Sequence, residues 1–205
     1  MTEVTTTMTL QELGAEASGC TKCRLSGGRT QVVFGVGDPH ADVLFIGEGP
    51  GYHEDKQGEP FVGAAGQLLT KMLAEIGLAR SDVYIANVIK CRPPGNRDPL
   101  PDEIDACKPY LEGQIRNIDP RVIVTLGNFA TRFILDRPLS ISRVRGQRFD
   151  VGGRTVVPTF HPAAILHGGG EASAQFQALR SDFRTILAIL SEPPPQPVEE
   201  QLGLF

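Results

Sequence analysis

The stretch ADVLFIGEGPG, residues 41–51, decides the architecture. Val43–Ile46 is a short apolar run that breaks directly into GEGPG, Gly47–Gly51. Such a run bounded by turn chemistry reads as a buried strand. The glycines that follow are too many for the interior of a strand or helix. They predict a tight loop in which backbone approaches a ligand closely and N–H groups point inward. No Gly-Lys-Ser/Thr follows, so this is not a phosphate-binding P-loop.

Three further runs have the same form. Val83–Ile89 precedes CRPPGN, Val122–Leu126 precedes GN, and Thr155–Phe160 precedes HP. Between them lie helical patterns. Gly66–Ile76 spaces Leu68, Leu69, Met72, Leu73 and Ile76 on one face, and Pro101–Ile118 opens with Pro-Asp-Glu, a first-turn signature. Asn128–Leu135 reads as a short helix and Ala172–Leu190 as a final amphipathic one. Strands alternating with helices imply parallel pairing through right-handed crossovers. The expectation is an α/β protein, a three-layer α/β/α sandwich with a central four-stranded parallel sheet. Its one domain spans residues 1–190, followed by a Pro/Glu-rich tail, 191–205, that is expected to be extended.

In such sheets ligands bind beyond the carboxyl ends of the strands. Three strands end in unusual segments, so Glu48, Asn87 and His161 are expected around one crevice. Each has an ordinary alternative: an exposed turn glutamate, a structural amide tie, a satisfied histidine. Phe61, in GEPFVG, is either a stacking platform for a base or an anchor for its loop.

The formal net charge of -4 argues at first against a nucleic-acid partner. However, the last fifteen residues carry Glu192, Glu199 and Glu200 and no cation; without them the 24 acidic side chains fall to 21, against 20 basic. Arg137, Arg143, Arg145, Arg148 and Arg154 form a possible basic face, and local field governs phosphate contact. No apolar run reaches the roughly 20 residues of a membrane helix, and the N-terminus lacks the order of a signal peptide. A cytoplasmic protein is expected.

Cys20 and Cys23 form a C-x2-C pair, with Cys91 after a strand and Cys107 on a helix. Disulfides are not expected in a cytoplasmic chain of this size. Four thiolates suit tetrahedral zinc or an iron–sulfur cluster, and inert buried thiols are a third reading. A metal centre would staple the N-terminal stretch to the body.

With these motifs in order, the chain resembles the family 4 uracil-DNA glycosylases, the iron–sulfur branch of their superfamily. The resemblance covers roughly Leu10 to Leu190 and rests on GEGPG, EDKQGEPFVGAAGQLL, NVIKCRPPGNR, PLPDE and FHPAAIL, together with the cysteine spacing. It implies a [4Fe-4S] cluster on Cys20, Cys23, Cys91 and Cys107, and a flipped uracil bound in the crevice. Phe61 would stack on the base, Asn87 would read its edge, and Glu54 would block a thymine methyl group. Gly49, Pro50 and Gly51 would line the pocket. His161 would donate to uracil O2, and Glu48 would position water or stabilise the cationic sugar. Ile165, Leu166 and His167 would wedge into the duplex. From the basic face, Arg145 is the expected DNA contact.

Related families carry Asp or Asn where this chain has Gly49, which leaves the water to Glu48. The basic loop with which a sister group traps DNA covalently is missing between Cys91 and Asp102, so turnover is expected. The terminal QLGLF looks like a bacterial sliding-clamp peptide, with Gln201, Leu202, Leu204 and Phe205 filling the clamp groove. A monomer acting on uracil-containing DNA is expected. The rival readings are a non-catalytic iron–sulfur DNA-binding or redox-sensing protein and a zinc-stapled nucleotide-binding enzyme.

Overall fold

The computed structural model describes residues 8–193. In chain order the helices are α1 (Leu10–Ser18), α2 (Tyr52–Gln57), α3 (Ala64–Glu75), α4 (Pro101–Ile118), α5 (Gly127–Leu135), α6 (Ile141–Val144), α7 (Pro162–His167) and α8 (Ala174–Ser191). The strands are β1 (Val36–Gly37), β2 (Val43–Gly47), β3 (Tyr84–Asn87), β4 (Val122–Leu126), β5 (Phe149–Val151) and β6 (Arg154–Thr159).

The sheet has six strands in the order β1-β3-β2-β4-β6-β5. Its middle is the expected parallel quartet, with Phe45 opposite Ile85 and Val124, and Val124 opposite Val157. Two short antiparallel strands, β1 and β5, extend the edges beyond the four strands expected. Both are too short and too exposed to carry an apolar run, which is why their sequence was silent.

Alternate residues of each strand enter opposite cores, because strand side chains alternate faces. Val43 and Phe45 pack with α3 and α8, through Leu69, Leu73, Phe183 and Ile186. Leu44 and Ile46 pack with α1, α4 and α5, through Leu13, Leu111 and Ala130. Three layers follow. Burial of each such side chain contributes about 1.5–3 kcal/mol.

Helix α1 was not expected, yet its start is written in the sequence. Thr9 and Glu12 form a capping box, with Thr9 N–H donating to Glu12 at 2.8 Å. No helix among the described residues is long and apolar enough to cross a membrane. The QLGLF segment lies outside the described residues.

Candidate active site and thiol centre

The parallel quartet ends at Gly47, Asn87, Leu126 and Thr159, and a crevice of about 410 Å³ opens beyond those ends. Glu48, Gly49, Pro50, Gly51, Glu54, Phe61, Asn87 and His161 all line it, and His167 sits at its wall. Topology gathers them: the loops after β2, β3 and β6 all emerge on the same edge. Asn96, Arg97 and Ala65, which were not expected, line it too.

Asn87 is 2% exposed, and its Oδ1 is buried without a hydrogen-bond partner. A buried acceptor left alone costs about 1–3 kcal/mol, so an orphan in a crevice points to a ligand donor. Gly47 makes the space: a Cβ there would fall 2.6 Å from Phe61 Cζ.

Phe61 is 6% exposed and has φ of 55°, a left-handed backbone rare for a bulky residue. The neighbourhood enforces it. Arg80 donates to the carbonyls of Pro60 at 2.8 Å and Phe61 at 3.2 Å. Glu54 Oε1 accepts the N–H groups of Val62 and Gly63, each at 3.0 Å. Helix α3 starts close against the Phe61 carbonyl, where only a residue without Cβ fits, and Gly66 supplies it. Glu54 therefore both lines the crevice and anchors the loop that carries Phe61.

His161 caps α7, its Nδ1 accepting from Ala163 N–H at 3.1 Å. The neutral ring then carries its proton on Nε2. Burial holds its pKa down at about 4, with Glu54 opposing weakly. Its ring centroid lies 5.5 Å from that of Phe61. Glu48 sits above the usual carboxylate range, first through burial and second through the Asp98 carboxylate. A Cβ on Gly49 would meet Ile89 Cγ1 at 2.7 Å, so any side chain at this position requires Ile89 to shift.

One expectation on the α7 side and one on the arginine segment are corrected. Ile165 is fully buried in the α3–α8 core, because it lies on the inner face of α7. Leu166 is 43% exposed and His167 is also exposed, so any wedge consists of these two. Arg145 is turned inward: it pairs with Asp182 at 2.5 Å, donates to Ala178 O and lies over the Phe160 ring. Its guanidinium is committed to holding α8 against the sheet.

Lys90 was overlooked. It is 1% exposed, and its Nζ donates to the Asn87 carbonyl at 2.8 Å and to Gln114 Oε1 at 2.5 Å. Gln114, itself wholly buried, passes the network on to Phe34 O at 2.8 Å. The sequence signal was a lysine ending the apolar run NVIK.

The four cysteines are free thiols: Cys91 and Cys107 are buried, and Cys20 and Cys23 pack against the same core. Burial pushes Cys91 up to about 11 and raises Cys107. The two buried sulfurs each have a donor that suits a thiolate: Arg29 Nη1 reaches Cys91 Sγ at 3.4 Å, and Lys90 N–H reaches Cys107 Sγ at 3.3 Å. Cys107 lies in the field of Cys20 and Cys23, so the set converges. Among the described residues no three His, Cys, Asp or Glu side chains gather as a single-ion site.

Residues 34–184 match the uracil DNA glycosylase superfamily model. A type-4 uracil-DNA glycosylase of Sulfurisphaera tokodaii is 44% identical, covering 95% of this chain and 90% of that protein. Those of Archaeoglobus fulgidus and Thermotoga maritima are 50% and 53% identical, covering 77% and 72% of this chain and 83% and 78% of theirs. With the parallel quartet, the crevice at its carboxyl edge and this degree of identity, the chain belongs to the uracil DNA glycosylase superfamily.

Proposed function

We propose that the protein is a uracil-DNA glycosylase of base excision repair, a monofunctional hydrolase that cleaves the N-glycosidic bond of an extruded deoxyuridine and leaves an abasic site. The observation that carries this reading is the orphaned Asn87 Oδ1 beside Phe61 and His161. Uracil N3–H would satisfy that oxygen, and the Asn87 amide nitrogen would donate to O4. Cytosine reverses both polarities, leaving buried groups unpaired at about 1–3 kcal/mol each. Phe61 would stack on the base, and Glu54 would stand against a thymine methyl group.

His161 is suited to the departing base. Neutral, and with Nδ1 already accepting, it presents Nε2–H to O2, where negative charge builds as the bond breaks. Water falls to Glu48, since Gly49 beside it offers no side chain. Leu166 and His167 would fill the gap left by the extruded nucleotide, whose removal from the stack costs a few kcal/mol.

The four thiols fit a [4Fe-4S] cluster by donor chemistry: four cysteines, and two N–H groups aimed at sulfur. Bound there, the cluster would fasten the N-terminal segment to the body and supply no step of the hydrolysis. Brown protein containing iron would support it over zinc, whereas colourless zinc-loaded protein would overturn it.

Incubation with a uracil-containing oligonucleotide followed by alkali tests the enzyme. Strand cleavage is expected, and its absence sinks the assignment in favour of a non-catalytic DNA-binding or redox-sensing protein. We further assign QLGLF to a sliding clamp, which would raise the enzyme's local concentration at DNA in the cytoplasm. Clamp affinity that survives deletion of Gln201–Phe205 refutes that assignment.

A further inference from the structure

We propose that Tyr52, with Arg92 and Lys56 beside it, is a docking platform for single-stranded DNA next to the extruded uridine. The proposal rests on the crevice being the uracil site. Tyr52 is the first residue of α2 and follows Gly51, which lines the crevice. It is 51% exposed, although the sheet and its helices bury the other two tyrosines to 4% and 2%. An exposed aromatic on a protein surface is unremarkable alone. Its surroundings are not.

The Arg92 guanidinium carbon stands 5.1 Å from the Tyr52 ring centroid and Lys56 Nζ stands 5.9 Å away, while His53 meets the ring edge-on at 5.5 Å. These neighbours brace the ring at a fixed attitude. Arg92 is held in turn by Asn96 Oδ1 at 2.6 Å, and Asn96 lines the crevice, so the platform is tied to the crevice mouth. Among the described residues neither Arg92 nor Lys56 forms an ion pair within 4.0 Å, whereas Arg97, Arg145, Arg154 and Arg180 all do. Asp55, which lies in the field of Arg92, is turned onto Thr30 N–H. Two cations without an ion-pair partner beside a half-exposed aromatic ring match the two things an unpaired nucleotide offers, a phosphate and a base face. A paired base is stacked on both sides and has no face to give, so the platform distinguishes a single strand from a duplex.

The chain has no tryptophan and three tyrosines, of which Tyr52 alone is open to a solvent-borne quencher. Titration with a uracil-free single-stranded oligonucleotide is expected to quench the Tyr52 emission, and Tyr52→Phe to abolish the quenching while keeping the affinity. Tyr52→Ala is expected to lower the ratio of single-strand to duplex affinity by roughly 5- to 100-fold. Replacing Arg92 and Lys56 by methionine should reduce the salt slope of single-strand binding by about 0.7 for each cation. Quenching that persists in Tyr52→Phe, or an affinity ratio unmoved in Tyr52→Ala, overturns the platform. Uracil excision by the unaltered protein is read separately: a protein that shows the quenching but excises nothing refutes the enzyme and leaves the platform standing.

Discussion

The carbonyl oxygen of Phe61 accepts Nη1 of Arg80 at 3.2 Å, and this bond joins a residue at the crevice to one outside it. Phe61 holds φ of 55°, which costs of order 1–3 kcal/mol and persists only where the surroundings over-determine it. Arg80, half-buried and forked onto two successive carbonyls, is one of those surroundings.

Arg80→Met is therefore expected to act at a distance. The two carbonyls lose their donor, the 60–63 loop relaxes, and Phe61 leaves its stacking position. Stability should fall by about 1–3 kcal/mol in denaturant titration. The KM for uracil-containing DNA should rise even where folding is complete. Unchanged KM with lowered stability would show that the backbone of Phe61 holds without Arg80.

Asn87→Ala should separate function from stability. In the free protein its Oδ1 is buried with no partner, so removing it relieves an uncompensated cost. Thermal stability is expected to stay level or rise. Activity is expected to fall by roughly 10²–10⁴-fold, because both hydrogen bonds to the base disappear at about 1–3 kcal/mol each. A large loss of stability would mean that the amide ties the fold together and does not wait for a ligand.

Acid should expose His161. Its pKa stands at about 4 in the folded chain, against 6.5 ordinarily, because burial disfavours the imidazolium. Between these values the unfolded chain takes up a proton that the folded chain refuses. The stability contribution is thus complete above pH 6.5 and is lost as pH falls through 4. The loss is on the order of 3 kcal/mol. Denaturant midpoints measured from pH 7.5 down to 4 should fall more steeply for the native chain than for His161→Gln; parallel curves would show that the imidazole titrates freely.

The sequence carried the sheet and crevice better than the loops' internal ties. Val43–Ile46 and Val122–Leu126 could be read because a strand buried on both faces is apolar throughout, and their ends gave Glu48 and the crevice edge. Residues whose role depends on a distant partner left little trace. Arg145 looked like a surface cation because nothing in its neighbourhood along the chain points to Asp182, thirty-seven positions away. Ile165 was a wedge only by the resemblance, and a six-residue helix does not declare in sequence which face turns inward. Lys90 drew no reading at all, and only Gln114 makes its burial intelligible.

Lys90 and Gln114 lead to a prediction about coupling. Nζ of Lys90 satisfies both Gln114 Oε1 and the Asn87 carbonyl, inside a core that excludes water. Lys90→Met keeps most of the side-chain volume but orphans both acceptors, at about 1–3 kcal/mol each. Gln114→Leu removes one of those acceptors, yet by itself strands the lysine and the Phe34 carbonyl. In the double variant the Lys90 amino group and the Gln114 amide have gone together, and the remaining costs are the carbonyls of Asn87 and Phe34. Its loss of stability should fall short of the sum of the single losses by about 0.5–3 kcal/mol, the usual coupling for buried neighbours. Chemical denaturation of the four proteins measures this directly. Strict additivity would mean that the two side chains meet too loosely to matter, and that Asn87 keeps its place without Lys90.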